Sequence, residues 1–220
     1  MMKKFIYMVA SLAFLTACHS TTTTETTQTT ATTEQTTQKS NGQADLSLGI
    51  QMVVNKKHKL PADYNPGENP IAGEKVRELI QKMQELGFSI SNQYSGFRSY
   101  EYQTQLYQNY VNKDGKKAAD TYSARPGYSE HQTGLAFDIL NGTGGLLGEN
   151  PQDEKAIEWL HSHAHEYGFI VRFQEGKEAI TGYQAEAWHL RYVGDIAEQI
   201  YTSKLTLEEY FSVEGGNYAD

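Results

Sequence analysis

Two short stretches of the chain carry side chains whose types and spacing suit hydrolytic chemistry. In SEHQTGLAFDI, residues 129–139, His131 is followed seven positions later by Asp138, and in EAWHLRYVG, residues 186–194, Glu186 precedes His189 by three. Two histidines and a carboxylate are a common ligand set for a catalytic zinc ion, with three protein donors at about 2.0–2.2 Å and the fourth position left to water. Zinc lowers the pKa of that water to about 7. Glu186 then stands where a general base would, taking a proton and later delivering it to a leaving amine. Each residue alone has an ordinary explanation: a hydrogen-bonded histidine, an aspartate capping a turn, a solvated glutamate. As a set they point to a metal site at His131, Asp138 and His189 with Glu186 beside it.

The elements that must position these groups are legible from patterning. Side chains alternate faces along a strand, so Leu135, Phe137 and Ile139 form a core face and leave Ala136 and Asp138 on the other. Gly134 breaks any helix and lets His131 return toward Asp138. In the second stretch Trp188, Leu190 and Tyr192 share one face and His189 and Arg191 the opposite one. Positions 186 and 189 face opposite ways in a regular strand, so joining Glu186 to the site requires a bend or bulge near Ala187.

Elsewhere, Val76, Leu79, Ile80 and Met83 mark a helix over 74–86, ended by Gly87. Residues 51–54 and 88–92 read as strands, and 99–111 as a helix. A further helix starts at Asn150-Pro151, with Asn150 as cap, and stops at Gly168. FIVRF, a turn through EGKE, then ITGY suggest a hairpin ahead of the strand AWHLRYV. Separated helices around an antiparallel sheet give an α+β fold, a small sheet carrying the zinc site and flanked by helices.

The ends of the chain add context. Lys3 and Lys4 precede an apolar run from Phe5 to Ala17, thirteen residues, too short for a bilayer span of about 20 and suited to a secretory signal. Leu15-Thr16-Ala17-Cys18 resembles a bacterial lipobox, which makes residues 1–18 a lipoprotein signal and Cys18 the lipidated anchor. Cys18 is the only cysteine, so no intrachain disulfide forms. Residues 19–44 are Thr-rich, without aromatic or large aliphatic side chains, and read as a disordered tether. Such a coil spans about 30 Å on average. Residues 45–220 are one domain's worth of chain. A net charge of −8 without a Lys/Arg cluster argues against nucleic acid as partner. Fifteen tyrosines suggest a wet, aromatic-lined groove, although packing accounts for most of them.

The two motifs, S-x-H-x-x-G-x-A-x-D at Ser129 to Asp138 and E-x-W-H at Glu186 to His189, are complete and in order. Here the chain resembles the VanY-type D-alanyl-D-alanine carboxypeptidases, a zinc metallopeptidase family that includes L,D-carboxypeptidases and is related in fold to lysostaphin-like enzymes and the hedgehog domain. The resemblance runs through VNKKHKLPADYNP, SGFRSYEYQ, WLHSHAHEYGFI and ITGYQ, covering nearly all of residues 50–195. Ala187 departs from it, standing where many relatives carry proline. The resemblance implies that His131, Asp138 and His189 bind one Zn2+, that Glu186 is the base, and that Arg98, Gln103 and Ser129 line the substrate pocket. A guanidinium at Arg98 would hold a substrate's terminal carboxylate by a two-pronged pair. Tyr128 and Trp188 read as packing rather than as site residues.

His161, His163 and His165 form no HExxH motif and read as the solvated face of a helix. The resemblance implies removal of a terminal D-alanine from peptidoglycan stem peptides and leans toward the L,D bond; the signal segment and Cys18 place the domain, expected to be a monomer, outside the cytoplasm, anchored to the membrane and facing the wall. A cross-bridge endopeptidase and a non-catalytic wall-binding module are the alternatives.

Overall fold

A computed structural model of the chain describes residues 42–219. The expected signal segment, Cys18 and nearly all of the Thr-rich tether lie outside them. Within the described part, four antiparallel strands form one sheet in the order β1-β2-β4-β3: β1 (Ile90–Ser95), β2 (Ala136–Asn141), β3 (Phe169–Phe173) and β4 (Glu186–Tyr192). The helices are α1 (Pro70–Glu85), α2 (Tyr100–Asp114), α3 (Lys116–Tyr122), α4 (Glu154–His163), α5 (Glu178–Thr181), α6 (Ala197–Ser203) and α7 (Leu207–Phe211). The architecture is α+β, as the patterning predicts.

One face of the sheet is the hydrophobic core. Leu135, Phe137 and Ile139 meet Val76, Leu79, Ile80 and Met83 of α1, Leu160 of α4, and Phe169 and Leu190 of the neighbouring strands. Burying each such side chain contributes roughly 1.5–3 kcal/mol. The alternation that seats these residues turns Asp138, His189 and Arg191 to the other face, which is also buried. That face must satisfy its charges internally.

α1 begins four residues earlier than the apolar spacing predicts, because Asn69 accepts from the amides of Ile71 and Ala72 and Pro70 occupies the first turn. Residues 51–54 are not a strand. Leu46–Gln51 form a 3-10 helix, and Met52 to Val54 run buried beside the sheet. The carbonyls of Ile50 and Met52 are taken by Arg191 Nη2 at 3.1 and 2.8 Å, a side-chain partner that substitutes for a strand ladder. ITGY is not a hairpin arm either: Glu178–Thr181 make one helical turn closed by left-handed Gly182, and β3 pairs with β4 instead.

Two local features deliver the site residues. His131 sits on the 3-10 turn Glu130–Thr133, ended by Gly134 at φ 72. There an added Cβ would collide with Gly67 O, while Gly134 O accepts from the Asn69 amide at 3.0 Å. The second is an irregularity in β4. Val171 pairs with Leu190 but Phe173 pairs with Glu186, so two residues of β3 span four of β4. This is the expected bulge beside Ala187, and it brings Glu186 to the same side as His189.

Candidate active site

Asp138 and His189 are register partners on adjacent strands, and His131 reaches them from the 3-10 turn. Asp138 Oδ1 lies 3.3 Å from His131 Nε2 and 3.2 Å from His189 Nδ1. One ligand atom from each residue falls within 4.8 Å of the others, and among the described residues no other group of three or more His, Cys, Asp or Glu does so.

Their surroundings leave these atoms for a cation. His131 Nδ1 bonds Gly96 O at 2.8 Å, which leaves Nε2 to face the site. Asp138 Oδ2 is taken by Arg98 Nη2, and Oδ1 is buried without a hydrogen bond. Burial would lower the His189 imidazole, but the carboxylates of Asp138, Glu130 and Glu186 raise it well above its ordinary value. Three acids around one ring make a place built for positive charge, and the donor set fits zinc with an open fourth position.

Glu186, 7 % exposed, has Oε2 3.4 Å from His189 Nδ1, and burial pushes its carboxyl up. A carboxyl raised in this way is poised to exchange protons at the site. All these groups open onto a cavity of about 490 Å³, also lined by Arg98, Gln103 and Ser129. Arg98 gives Nε and Nη2 to Ser95 Oγ at 3.2 and 2.7 Å, so it braces Asp138 as well as lining the cavity. Its Nη1 makes no hydrogen bond among the described residues. Gln103 donates to Ala124 O at 2.7 Å, and its Oε1 is buried without a partner. Ser129 is buried at the cavity wall.

Tyr128 and Trp188, read from sequence as packing, line the cavity too, together with Tyr102, Tyr110, Tyr122 and Tyr183. Trp188 serves both purposes, since it also packs against the core. The three helical histidines are packed rather than solvated: His161 Nε2 lies 3.1 Å from Ala187 O, His163 stacks on Trp159, and His165 stacks on Tyr201 beside Glu198. α4 and the turn after it lie against neighbouring elements on more than the one apolar face, which explains the difference.

The patterning missed Glu130, Arg172 and Glu208. Glu130 Oε1 accepts from Arg172 Nε at 2.8 Å and from Arg191 Nη1 at 2.9 Å. Burial opposes ionisation, but these two guanidiniums hold its carboxyl well below the usual range. One signal was available: Arg172 interrupts the otherwise apolar strand FIVRF, and a buried arginine needs a carboxylate nearby.

A candidate metal site walled by buried carboxylates, with a raised glutamate beside it on an α+β sheet, has the parts of a metal-dependent hydrolase. Residues 66–195 match the VanY family, D-alanyl-D-alanine carboxypeptidase, and the chain belongs to that family. It is 32% identical over 181 residues to a D-alanyl-D-alanine carboxypeptidase of Enterococcus faecalis, covering 74% of this chain and 66% of that protein, so it spans about two thirds of that relative's length. Among solved structures it is similar to the L,D-carboxypeptidase DacB of Streptococcus pneumoniae, with 61% identity and a TM-score of 0.73 over 76% of this chain and 89% of that one. A vancomycin-resistance D,D-pentapeptidase VanY in complex with Zn(II) is 31% identical, with a TM-score of 0.62 over 73% and 98% of the two chains.

Proposed function

We propose that the protein is a zinc-dependent L,D-carboxypeptidase that removes the terminal D-alanine from peptidoglycan stem tetrapeptides. The observation that carries the choice of bond is the 61% identity to an L,D-carboxypeptidase across 89% of its chain, against 31% to a D,D-pentapeptidase. His131 Nε2, Asp138 Oδ1 and His189 Nδ1 would hold the metal. Zinc, when bound, supplies a Lewis acid for the scissile carbonyl and lowers the pKa of the attacking water.

The chain's own groups do the rest. Arg98, with Nη1 turned to no other partner, pairs with the terminal carboxylate and selects a free C-terminus. Gln103 Oε1 accepts a substrate N–H, and Ser129 closes the wall beside it. Glu186 removes a proton from the attacking water as the new C–O bond forms, then returns it to the amine of the departing D-alanine as the C–N bond breaks. The reading extends to location: Cys18 carries the lipid, and the Thr-rich stretch after it lets the domain reach the wall from the membrane surface, the folded part taking over at residues 42–44, which pair with Lys59.

The test is mass spectrometry of a defined tetrapeptide and pentapeptide incubated with residues 42–220 and zinc. Loss of one alanine from the tetrapeptide alone supports the L,D reading. Loss from the pentapeptide alone makes the enzyme a D,D-carboxypeptidase, and cleavage of a peptide with a blocked C-terminus makes it an endopeptidase. Location is tested separately: a Cys18→Ala variant should be released into the medium, and retention on the membrane would remove the anchor.

A further inference from the structure

The His189 ring is addressed from both ends. Its Nδ1 faces Asp138, whereas its Nε2 faces Glu130 Oε2 at 3.5 Å. Both of those facing atoms, Nε2 and Oε2, are buried and have no hydrogen bond among the described residues. One is a ring nitrogen able to carry a proton and the other a carboxylate oxygen. Their separation exceeds a charge-assisted bond by little more than about half an ångström.

Glu130 is clamped through its other oxygen. Oε1 receives Arg172 Nε and Arg191 Nη1, and Arg172 gives Nη1 and Nη2 to Glu208 of α7 at 2.9 and 2.6 Å. Asn55 Nδ2 adds a bond to Glu208 Oε1 at 3.1 Å. None of the four charged residues is more than 4 % exposed. Two guanidiniums and two carboxylates balance, which is the condition for keeping such a group buried. Two guanidiniums on one oxygen restrict the carboxylate while its second oxygen faces the histidine. Asn55 and Glu208 lie outside residues 66–195, so segments flanking the family match brace a group beside the site.

Metal-binding histidines ordinarily donate their second ring N–H to a carboxylate or carbonyl, which sets the tautomer and ring orientation. For His131 that partner is Gly96 O. We propose that Glu130 is the positioning residue of His189: it holds the proton on Nε2, presents Nδ1 to the metal, and is itself held by the Arg172–Glu208 pair of β3 and α7. The inference rests on the reading of His131, Asp138 and His189 as zinc ligands.

The test compares zinc affinity of wild type and Glu130→Gln by chelator competition, with cobalt absorption spectra of both and thermal unfolding of the metal-free proteins. The expected result is a folded variant whose zinc affinity falls roughly 10- to 100-fold and whose cobalt bands shift. Unchanged affinity and bands in a folded variant overturn the proposal while leaving the metal site intact. If Glu130→Gln does not fold, nitrogen-15 histidine spectra of the zinc-loaded wild type decide. An exchange-protected proton on His189 Nε2 supports the proposal, and an unprotonated, metal-bound Nε2 overturns it. Wild-type protein that takes up no zinc sinks the site reading itself and this inference with it.

Discussion

Asp138 Oδ1 and His189 Nδ1 stand 3.2 Å apart on directly paired residues of β2 and β4. The sheet ladder places the two residues opposite each other, so the donors of the proposed metal site already stand together. Removing Asp138 should therefore abolish the site without disturbing the strands. Asp138→Asn should bring bound zinc from one ion per chain to near zero after dialysis, with the far-ultraviolet spectrum unchanged. Stoichiometric zinc in this variant would exclude Asp138 as a ligand.

Glu186 lies on a bulge, not among the three convergent donors, and the proposed function makes it the proton acceptor. Glu186→Gln should keep zinc at wild-type stoichiometry and lower kcat/KM by roughly 10²- to 10⁴-fold. Steady-state kinetics with parallel metal analysis would show it, and near-normal turnover would move the base elsewhere.

Arg98 braces Asp138 Oδ2, and in the proposed function it also meets the substrate's carboxylate. Arg98→Lys keeps a charge but loses the planar fork. It should reduce the preference for free-acid over C-terminally amidated peptide by roughly 10- to 100-fold, the worth of a hydrogen bond to a charged group. Measuring both substrates on both proteins tests this, and an unchanged acid-to-amide ratio would leave Arg98 with the bracing task alone.

Gly134 holds a left-handed backbone at φ 72 against the backbone of residues 67–69. Gly134→Ala adds a Cβ with nowhere to go and should destabilise the fold by roughly 1–3 kcal/mol. Urea unfolding at neutral pH reads the loss, and a change below about half a kcal/mol would show that this contact yields.

Burial pushes the Tyr218 phenol up to about 12, above the value of about 10 expected in the unfolded chain. Below the unfolded value both states are protonated and this contribution to stability is complete. As pH rises from there toward the folded value only the unfolded state ionises, so the contribution is lost. Wild type should thus lose more stability between about pH 9 and pH 11 than Tyr218→Phe. Denaturant melts at the two pH values test it, and parallel losses in both proteins would contradict the assignment.

What the sequence alone determined here was local and periodic. The alternation in 135–139 and 188–192 decided which side chains share a face, and Gly134 marked where the chain must turn. The position of Glu186 relative to His189 even demanded a bulge, which β4 contains. Patterning misread residues 51–54 because an apolar run does not say where its carbonyls bond, and theirs go to Arg191. It read Tyr128 and Trp188 as packing, which holds for Trp188 against the core, but both also line the cavity, since periodicity cannot tell a core wall from a cavity wall. Tertiary structure alone decided the support of the site. Glu130, Arg172, Arg191 and Glu208 come from segments as far apart as 78 positions, and nothing local to any of them names its partner. Buried charge is stable only where opposite charges converge in space, and that convergence exists only once the sheet has formed and α7 has closed over it.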